Sequence, residues 1–139
     1  MINKIILNSL LLFLLFFFNN SFAVADEIET TGDILQIAIP AVAYGVTFLK
    51  EDKPGRNQFY KHFLATFLTT HALKLAVEKE RPDGSGDNSF PSGHTSAAFQ
   101  GAAFIHLRYG LKYAAPAYLG AAFVGYSRVD SDNHYIEDV

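Results

Sequence analysis

The chain has 139 residues and a mass of 15.4 kDa, a size that suits one small domain. Half of its residues are apolar and 18% are charged, which excludes a disordered or low-complexity protein. It contains no cysteine, which excludes disulfides and thiolate metal sites, and its formal charge of −3 argues against a nucleic-acid-binding protein.

The first 25 residues have the composition of a secretory signal. Lys4 is the only charged residue before Asp26, the segment 5–18 is almost wholly Leu, Ile and Phe, and small residues follow at 23–25. A charged start, a short apolar run and an A-x-A end predict cleavage after Ala25. The alternative is an uncleaved membrane anchor, which the shortness of the apolar run disfavours. We therefore expect residues 26–139 to form the functional domain, outside the cytoplasm.

Four further segments are predicted to be helical, and no segment alternates with period two, so the expected fold is an all-α helical bundle. The four segments are 34–49, 57–79, about 92–109 and about 112–128. A kink is expected at Pro40. A polar loop is expected over residues 50–57, and Pro82 is expected to stop the second helix.

The apolar runs leave two environments open. The uncharged stretches 34–49 and 113–127 each cover about 23 Å as helices, against a hydrocarbon layer of about 30 Å. Basic residues at the ends of these stretches extend their reach towards the lipid headgroups. The abundance of Ala, Gly, Phe and Leu favours a membrane-embedded bundle over a soluble periplasmic one.

Two clusters of residues are suited to binding an anion. Lys74 and Arg81 lie seven residues apart and are predicted to share one helix face, unless they are only a solvated charged face. Ser92, Gly93 and His94 open a helix after a Gly/Asp/Ser loop, where free N–H groups and the positive end of the helix dipole bind phosphate. Ser92 as a helix cap and His94 as a core residue are the structural alternatives.

A third cluster contains Arg128, His134 and Asp138. His134 and Asp138 lie four residues apart and share a face if the segment is helical. A carboxylate beside an imidazole fixes its tautomer and stabilises its cationic form, although a local surface pair is an equally simple interpretation. The remaining histidines match no motif and are predicted to be packing or surface residues: His62, His71 and His106.

The order and spacing of the three clusters are more specific than any one of them. Together they resemble the three-part signature of the type-2 phosphatidic acid phosphatase superfamily, which also holds bacterial class A acid phosphatases and vanadium-dependent haloperoxidases. The resemblance covers 74–138 and is complete at the signature positions: Lys74, Arg81, Pro82, Pro91, Ser92, Gly93, His94, Ser127, Arg128, His134 and Asp138.

The resemblance implies a metal-independent phosphatase that uses no cofactor and forms a phosphohistidine intermediate. His134 is then the nucleophile, Asp138 its orienting partner and His94 the general acid. The phosphate-binding set would be Lys74, Arg81, Ser92, Gly93 and Arg128. The expected substrate is a phosphorylated lipid, with the active site on the periplasmic side of the inner membrane.

Several alternatives stay open. One is a soluble periplasmic acid phosphatase acting on small phosphomonoesters, and a haloperoxidase would need bound vanadate in the same pocket. In the family the His/Asp pair lies on or beside a helix that continues, whereas this chain stops at Val139. We therefore expect a domain that is incomplete at its C-terminus, with a truncated last helix. A non-catalytic envelope protein that retains an anion pocket is the alternative from another class.

Overall fold

The computed structural model describes residues 24–139, which form four α-helices and no strand. The elements are α1 (Val24–Leu49), α2 (Lys53–Val77), α3 (Gly93–Tyr109), α4 (Leu111–Asp130) and a final 3-10 turn (Ile136–Asp138). The prediction of an all-α fold with four helices is confirmed. The predicted signal at 1–25 lies almost wholly outside the described residues and stays a prediction.

Small side chains build the core. α3 and α4 pack most extensively against each other, and α1 packs against both. The alanines at the centre of these contacts are fully buried: Ala43, Ala98, Ala102, Ala114 and Ala121. At Gly101 of α3 an added Cβ would lie 2.8 Å from the backbone of Pro40, so the two helices approach as closely as glycine allows. α1 continues through Pro40 as a single helix.

The start of α2 differs from the prediction. Asp52 caps the helix by accepting a hydrogen bond from the Gly55 N–H at 2.9 Å, and Pro54 occupies the first turn. Proline is favoured there because its missing N–H has no helical partner in any case. The predicted loop over 50–57 is therefore confined to residues 50–52, and residues 53–57 belong to α2. Asp52 also accepts hydrogen bonds from Arg108 at 2.6 and 2.7 Å, which ties the start of α2 to the end of α3.

The end of α2 corrects a second expectation. The helix ends at Val77, because Glu78 adopts a left-handed conformation with φ 46° and closes the last turn. Arg81 consequently lies beyond the helix, in the segment 78–92 that leads to α3. The prediction that Lys74 and Arg81 share one helix face is wrong, and any shared role depends on how this segment folds back.

Much of the outer surface is apolar. Large side chains on α2 are at least half exposed, among them Leu64, Leu68 and Leu75. By length and composition one helical stretch of the described residues, Glu27–Leu49, is able to cross a membrane, with a hydropathy of 1.5. A single stretch near the N-terminus is weak support for a membrane-spanning fold, because signal sequences and buried helices of soluble proteins have the same properties.

Candidate active site

The predicted site residues come from three helix ends and from the segments 78–92 and 131–138, which meet at one end of the bundle. Lys74 is in the last turn of α2, His94 in the first turn of α3 and Arg128 in the last turn of α4. His134 and Asp138 lie in the segment after α4, which returns to the site: the Ser92 N–H donates to the Asp138 carbonyl oxygen at 2.8 Å. This end of the bundle therefore contains all three sequence clusters.

His134 and Asp138 are paired, although not on an α-helix. Asp138 closes a 3-10 turn, and its Oδ2 lies 4.0 Å from His134 Nδ1. Ser89 stands beside both groups, donating its hydroxyl hydrogen to Asp138 Oδ2 at 2.5 Å and lying 3.4 Å from His134 Nδ1. The pair is thus held through its Nδ1 side, which leaves Nε2 of the ring as the nitrogen available for chemistry.

The Asp138 carboxylate is fully buried and has donors on both oxygens. Lys79 Nζ donates to Oδ1 at 2.7 Å, and the Tyr135 N–H donates to Oδ2 at 3.0 Å. Burial on its own would raise the pKa of Asp138, but the hydrogen bonds from Lys79, Ser89 and Tyr135 outweigh it and lower the pKa. Asp138 is therefore ionised and fixed in place behind His134.

His134 is neutral at physiological pH. Burial and the positive charges of Lys74 and Arg81 lower its pKa to about 4, against the opposing effects of a hydrogen bond to the Ser89 backbone and the charge of Asp138. A neutral imidazole with an unprotonated Nε2 is the form that attacks an electrophile. The two cations that keep it neutral are the same groups that the sequence predicted to bind phosphate.

The segment 78–92 brings Lys74 and Arg81 together despite the end of the helix between them. Asn88 accepts from both, through its backbone oxygen from Lys74 Nζ at 2.5 Å and through its side chain from Arg81 Nε at 2.8 Å. Burial and the nearby charge of Arg81 lower the pKa of Lys74. An anion placed between the two cations would relieve this repulsion.

The start of α3 has the local structure of a capped helix N-terminus. Ser92 is fully buried and its Oγ accepts from the Thr95 N–H at 3.3 Å, so the N-cap interpretation of Ser92 is confirmed. The side chain of Lys74 approaches Gly93, whose added Cβ would lie 4.0 Å from Lys74 Cε. Gly93 therefore leaves an open backbone face beside a cation.

His94 and Arg128 form a second group of site residues. A carboxylate from α1 lies close to both side chains: Asp33 Oδ1 is 3.1 Å from His94 Nε2 and 2.9 Å from Arg128 Nη1. Burial and the charge of Arg128 lower the pKa of His94, whereas Asp33 raises it and Arg81 lowers it further. Because Arg81 lowers the pKa of both histidines, it links the two halves of the site electrostatically.

Comparison with known proteins identifies the family of the chain. A family model described as the PAP2 superfamily matches residues 56–139, more than half of the chain. The chain belongs to the PAP2 superfamily. The lipid A 1-phosphatase of Porphyromonas gingivalis is 42% identical over 72 residues, which are 50% of this chain and 16% of that relative. The alignment thus spans a small part of the relative's length. No solved structure matches the chain significantly.

Several residues that contact the predicted site residues were not predicted from the sequence, among them Asp33, Lys79, Ser89 and Asn88. Lys79 and Ser89 lie inside the motif region and reach Asp138 from 59 and 49 residues away. Their only sequence signal is that they lie close to motif residues along the chain. This closeness does not identify the residue that each of them contacts. Asp33 precedes the matched region by more than 20 residues and has no sequence signal.

The other histidines take the structural roles expected of them. His71 contacts the carbonyl oxygen of Phe67 at 2.9 Å, His106 contacts the Tyr118 hydroxyl at 3.2 Å, and His62 is exposed. Among the residues that the structure describes, no group of three or more His, Asp or Glu side chains is placed to hold a metal ion.

Proposed function

We propose that this PAP2 protein is a metal-independent phosphatase that hydrolyses a lipid phosphate or pyrophosphate through a phosphohistidine intermediate. The observation that carries the proposal is the buried Asp138–His134 pair beside Lys74 and Arg81, in which the imidazole is neutral. A neutral nucleophile next to cations is what attack on an anionic phosphate requires.

In the first step His134 Nε2 donates its lone pair to phosphorus, and the bond from phosphorus to the leaving oxygen breaks. The Nδ1 hydrogen then faces Ser89 and Asp138, whose charge stabilises the imidazolium that forms. Lys74, Arg81 and Arg128 would hold the phosphoryl oxygens together with the Gly93 N–H. These donors are fixed before reaction, so little reorganisation is needed as charge develops.

His94 supplies the proton that the leaving group needs. Its protonated ring donates to the departing oxygen in the first step and, once neutral, takes a proton from the water that attacks the phosphohistidine. Release of inorganic phosphate returns both histidines to their starting protonation states. The cycle consumes one water and requires no metal ion.

A lipid substrate is favoured over a small soluble ester. The relative is described as a lipid A 1-phosphatase, and α2 exposes large apolar side chains. An apolar cavity of about 50 Å³ lies between α2 and α3 and includes Gly93 in its lining, next to the proposed phosphate position. These features support a membrane-associated envelope protein, and we propose that its site opens to the periplasm.

The direct test is phosphate release by the purified chain from p-nitrophenyl phosphate and from a phosphorylated lipid in detergent micelles. His134→Ala should lower kcat by at least about 10³-fold, since it removes the nucleophile. The matched control is His62→Ala, which removes an exposed histidine and should leave the rate unchanged. Equal rates for the wild type and His134→Ala would instead favour a non-catalytic anion-binding protein.

The same assay tests metal independence. Full activity is expected after dialysis against EDTA, because cations of the protein itself balance the phosphate charge. Vanadate should inhibit by occupying the phosphoryl position. Strict dependence on added magnesium would contradict the proposed mechanism.

A further inference from the structure

We propose that Asp33 is a positioning residue for the general acid: its carboxylate orients the His94 ring and favours the protonated imidazole. The inference rests on the proposed function, because it assigns Asp33 a task in proton donation to the leaving group. It adds a positioning residue from α1, a helix that lies wholly outside the region matched by the family model.

The Asp33 carboxylate contacts both His94 and Arg128. Its Oδ1 is 3.1 Å from His94 Nε2 and 2.9 Å from Arg128 Nη1. That oxygen is shielded from solvent and neither contact has the alignment of a hydrogen bond, although 49% of the side chain is exposed. A shielded carboxylate oxygen needs a donor, and His94 supplies one at Nε2 only when that nitrogen carries a proton.

The position of Asp33 is set by close packing of α1 against α4. Arg128 Nη2 donates to the Glu29 carbonyl oxygen at 2.8 Å, and the Asn133 side chain donates to the Glu29 carboxylate at 2.8 Å. At Gly32 an added Cβ would lie 1.9 Å from Ser127 Oγ, so this turn of α1 touches α4 directly. Asp33 is therefore held at the site by its own helix.

The charges around His94 make a carboxylate necessary. Arg128 faces it from α4 and Arg81 from the segment 78–92, and both favour the neutral ring. Asp33, from α1, is the group that opposes them. With Nε2 directed at Asp33, the second N–H of the imidazolium, at Nδ1, is left for the leaving oxygen. The site would then contain two Asp–His pairs with opposite tasks, nucleophile and acid.

The first experiment needs no turnover. The pH titration of His94 is followed by NMR of histidine-labelled protein in detergent micelles, for the wild type, Asp33→Asn and the control Glu51→Gln, which removes the same charge at an exposed position. We expect Asp33→Asn to lower the pKa of His94 by at least about one unit, because it removes an opposite charge at close range. An unmoved His94 in Asp33→Asn, or an equal shift in Glu51→Gln, would overturn the inference.

The second experiment uses the kinetics. Asp33→Asn should lower kcat and move the alkaline limb of the kcat/KM profile to lower pH, with vanadate affinity changed less than threefold, and Asp33→Glu should restore part of the rate. Tighter vanadate binding with an unmoved alkaline limb would show that Asp33 only competes with phosphate, which contradicts the inference.

If Asp33→Asn does not fold, Asp33→Ser gives the same comparison. A shifted His94 titration in an inactive wild type would overturn the proposed function alone.

Discussion

The proposed mechanism requires the two histidines of the site to be in opposite protonation states at the same pH. His134 is buried beside Lys74 and Arg81, and its pKa is lowered to about 4. His94 also has a lowered pKa, but Asp33 opposes the cations around it. A nucleophile that stays neutral and an acid that is still protonated can therefore coexist only in acidic solution.

The free enzyme should consequently have an acidic optimum. The kcat/KM profile should rise with pH through about 4, where His134 loses its proton, and fall at a pH below 6.5, where His94 loses its own. The measurement is initial rates of p-nitrophenyl phosphate hydrolysis across this range at fixed ionic strength. An optimum at alkaline pH would contradict the assignment of the two roles.

Lys79 is predicted to matter through Asp138, since it touches no other predicted site residue. Lys79→Met leaves a buried carboxylate without its cation and should lower both the unfolding free energy and kcat. The control Glu137→Gln removes the exposed partner of Lys79, 2.8 Å away, and should change stability less than Lys79→Met does. Equal effects of the two variants in thermal unfolding and kinetics would refute this role.

The sequence predicted the site residues, but it did not predict the residues that contact them. Lys74, Arg81, His94, Arg128, His134 and Asp138 were all predicted from motif spacing, and the structure brings them to one end of the bundle; their roles remain proposals. Asp33, Lys79 and Ser89 could not be predicted, because each acts on a residue 49 to 61 positions away. Spacing in sequence does not encode which distant carboxylate meets which cation.

At the scale of the helices, the site depends on close contact of α1 with α3 and α4. The closest approaches are at glycines, where a side chain would force the helices apart. Because α1 also carries Asp33, any change that displaces it should disturb both stability and the second histidine.

Gly101→Ala tests this packing. The added Cβ would lie 2.8 Å from the Pro40 backbone, and we expect a loss of about 1–3 kcal/mol in unfolding free energy. Gly45→Ala is the matched control in α1, since an added Cβ there meets nothing within 4 Å and should stabilise the helix by up to about 1 kcal/mol. Chemical unfolding in detergent measures both. A neutral Gly101→Ala would mean that α1 does not pack as described.

Helix types were predictable and their ends were not. The periodic apolar residues of α2 identify the helix, but Pro54, inside the predicted loop over 50–57, is a first-turn residue after the Asp52 cap. At the C-terminal end of α2, Glu78 adopts the left-handed conformation that glycine usually provides. The sequence therefore contains no residue type that predicts the end of the helix there. The start of α1 at Val24 was missed because its first turns are charged and polar.

At the scale of the molecule, the outer surface of the helices carries many large apolar side chains. Exposed leucines lie on several helices, with Leu75, Leu107 and Leu119 each at least 74% exposed. We expect the chain to sediment with membranes and to resist extraction by carbonate, since contiguous apolar surface is poorly tolerated in water. Release by osmotic shock without detergent would instead identify a soluble periplasmic protein.

The central claim is that His134 carries the phosphoryl group. The most direct measurement is rapid acid-free quenching of the wild-type protein with a labelled phosphate ester, followed by peptide mass spectrometry. We predict a phosphoryl adduct on the nitrogen of His134, stable to alkali and labile to acid, that is absent from His134→Ala. Turnover with no adduct on His134 under any quench, or an adduct on another residue, would contradict it.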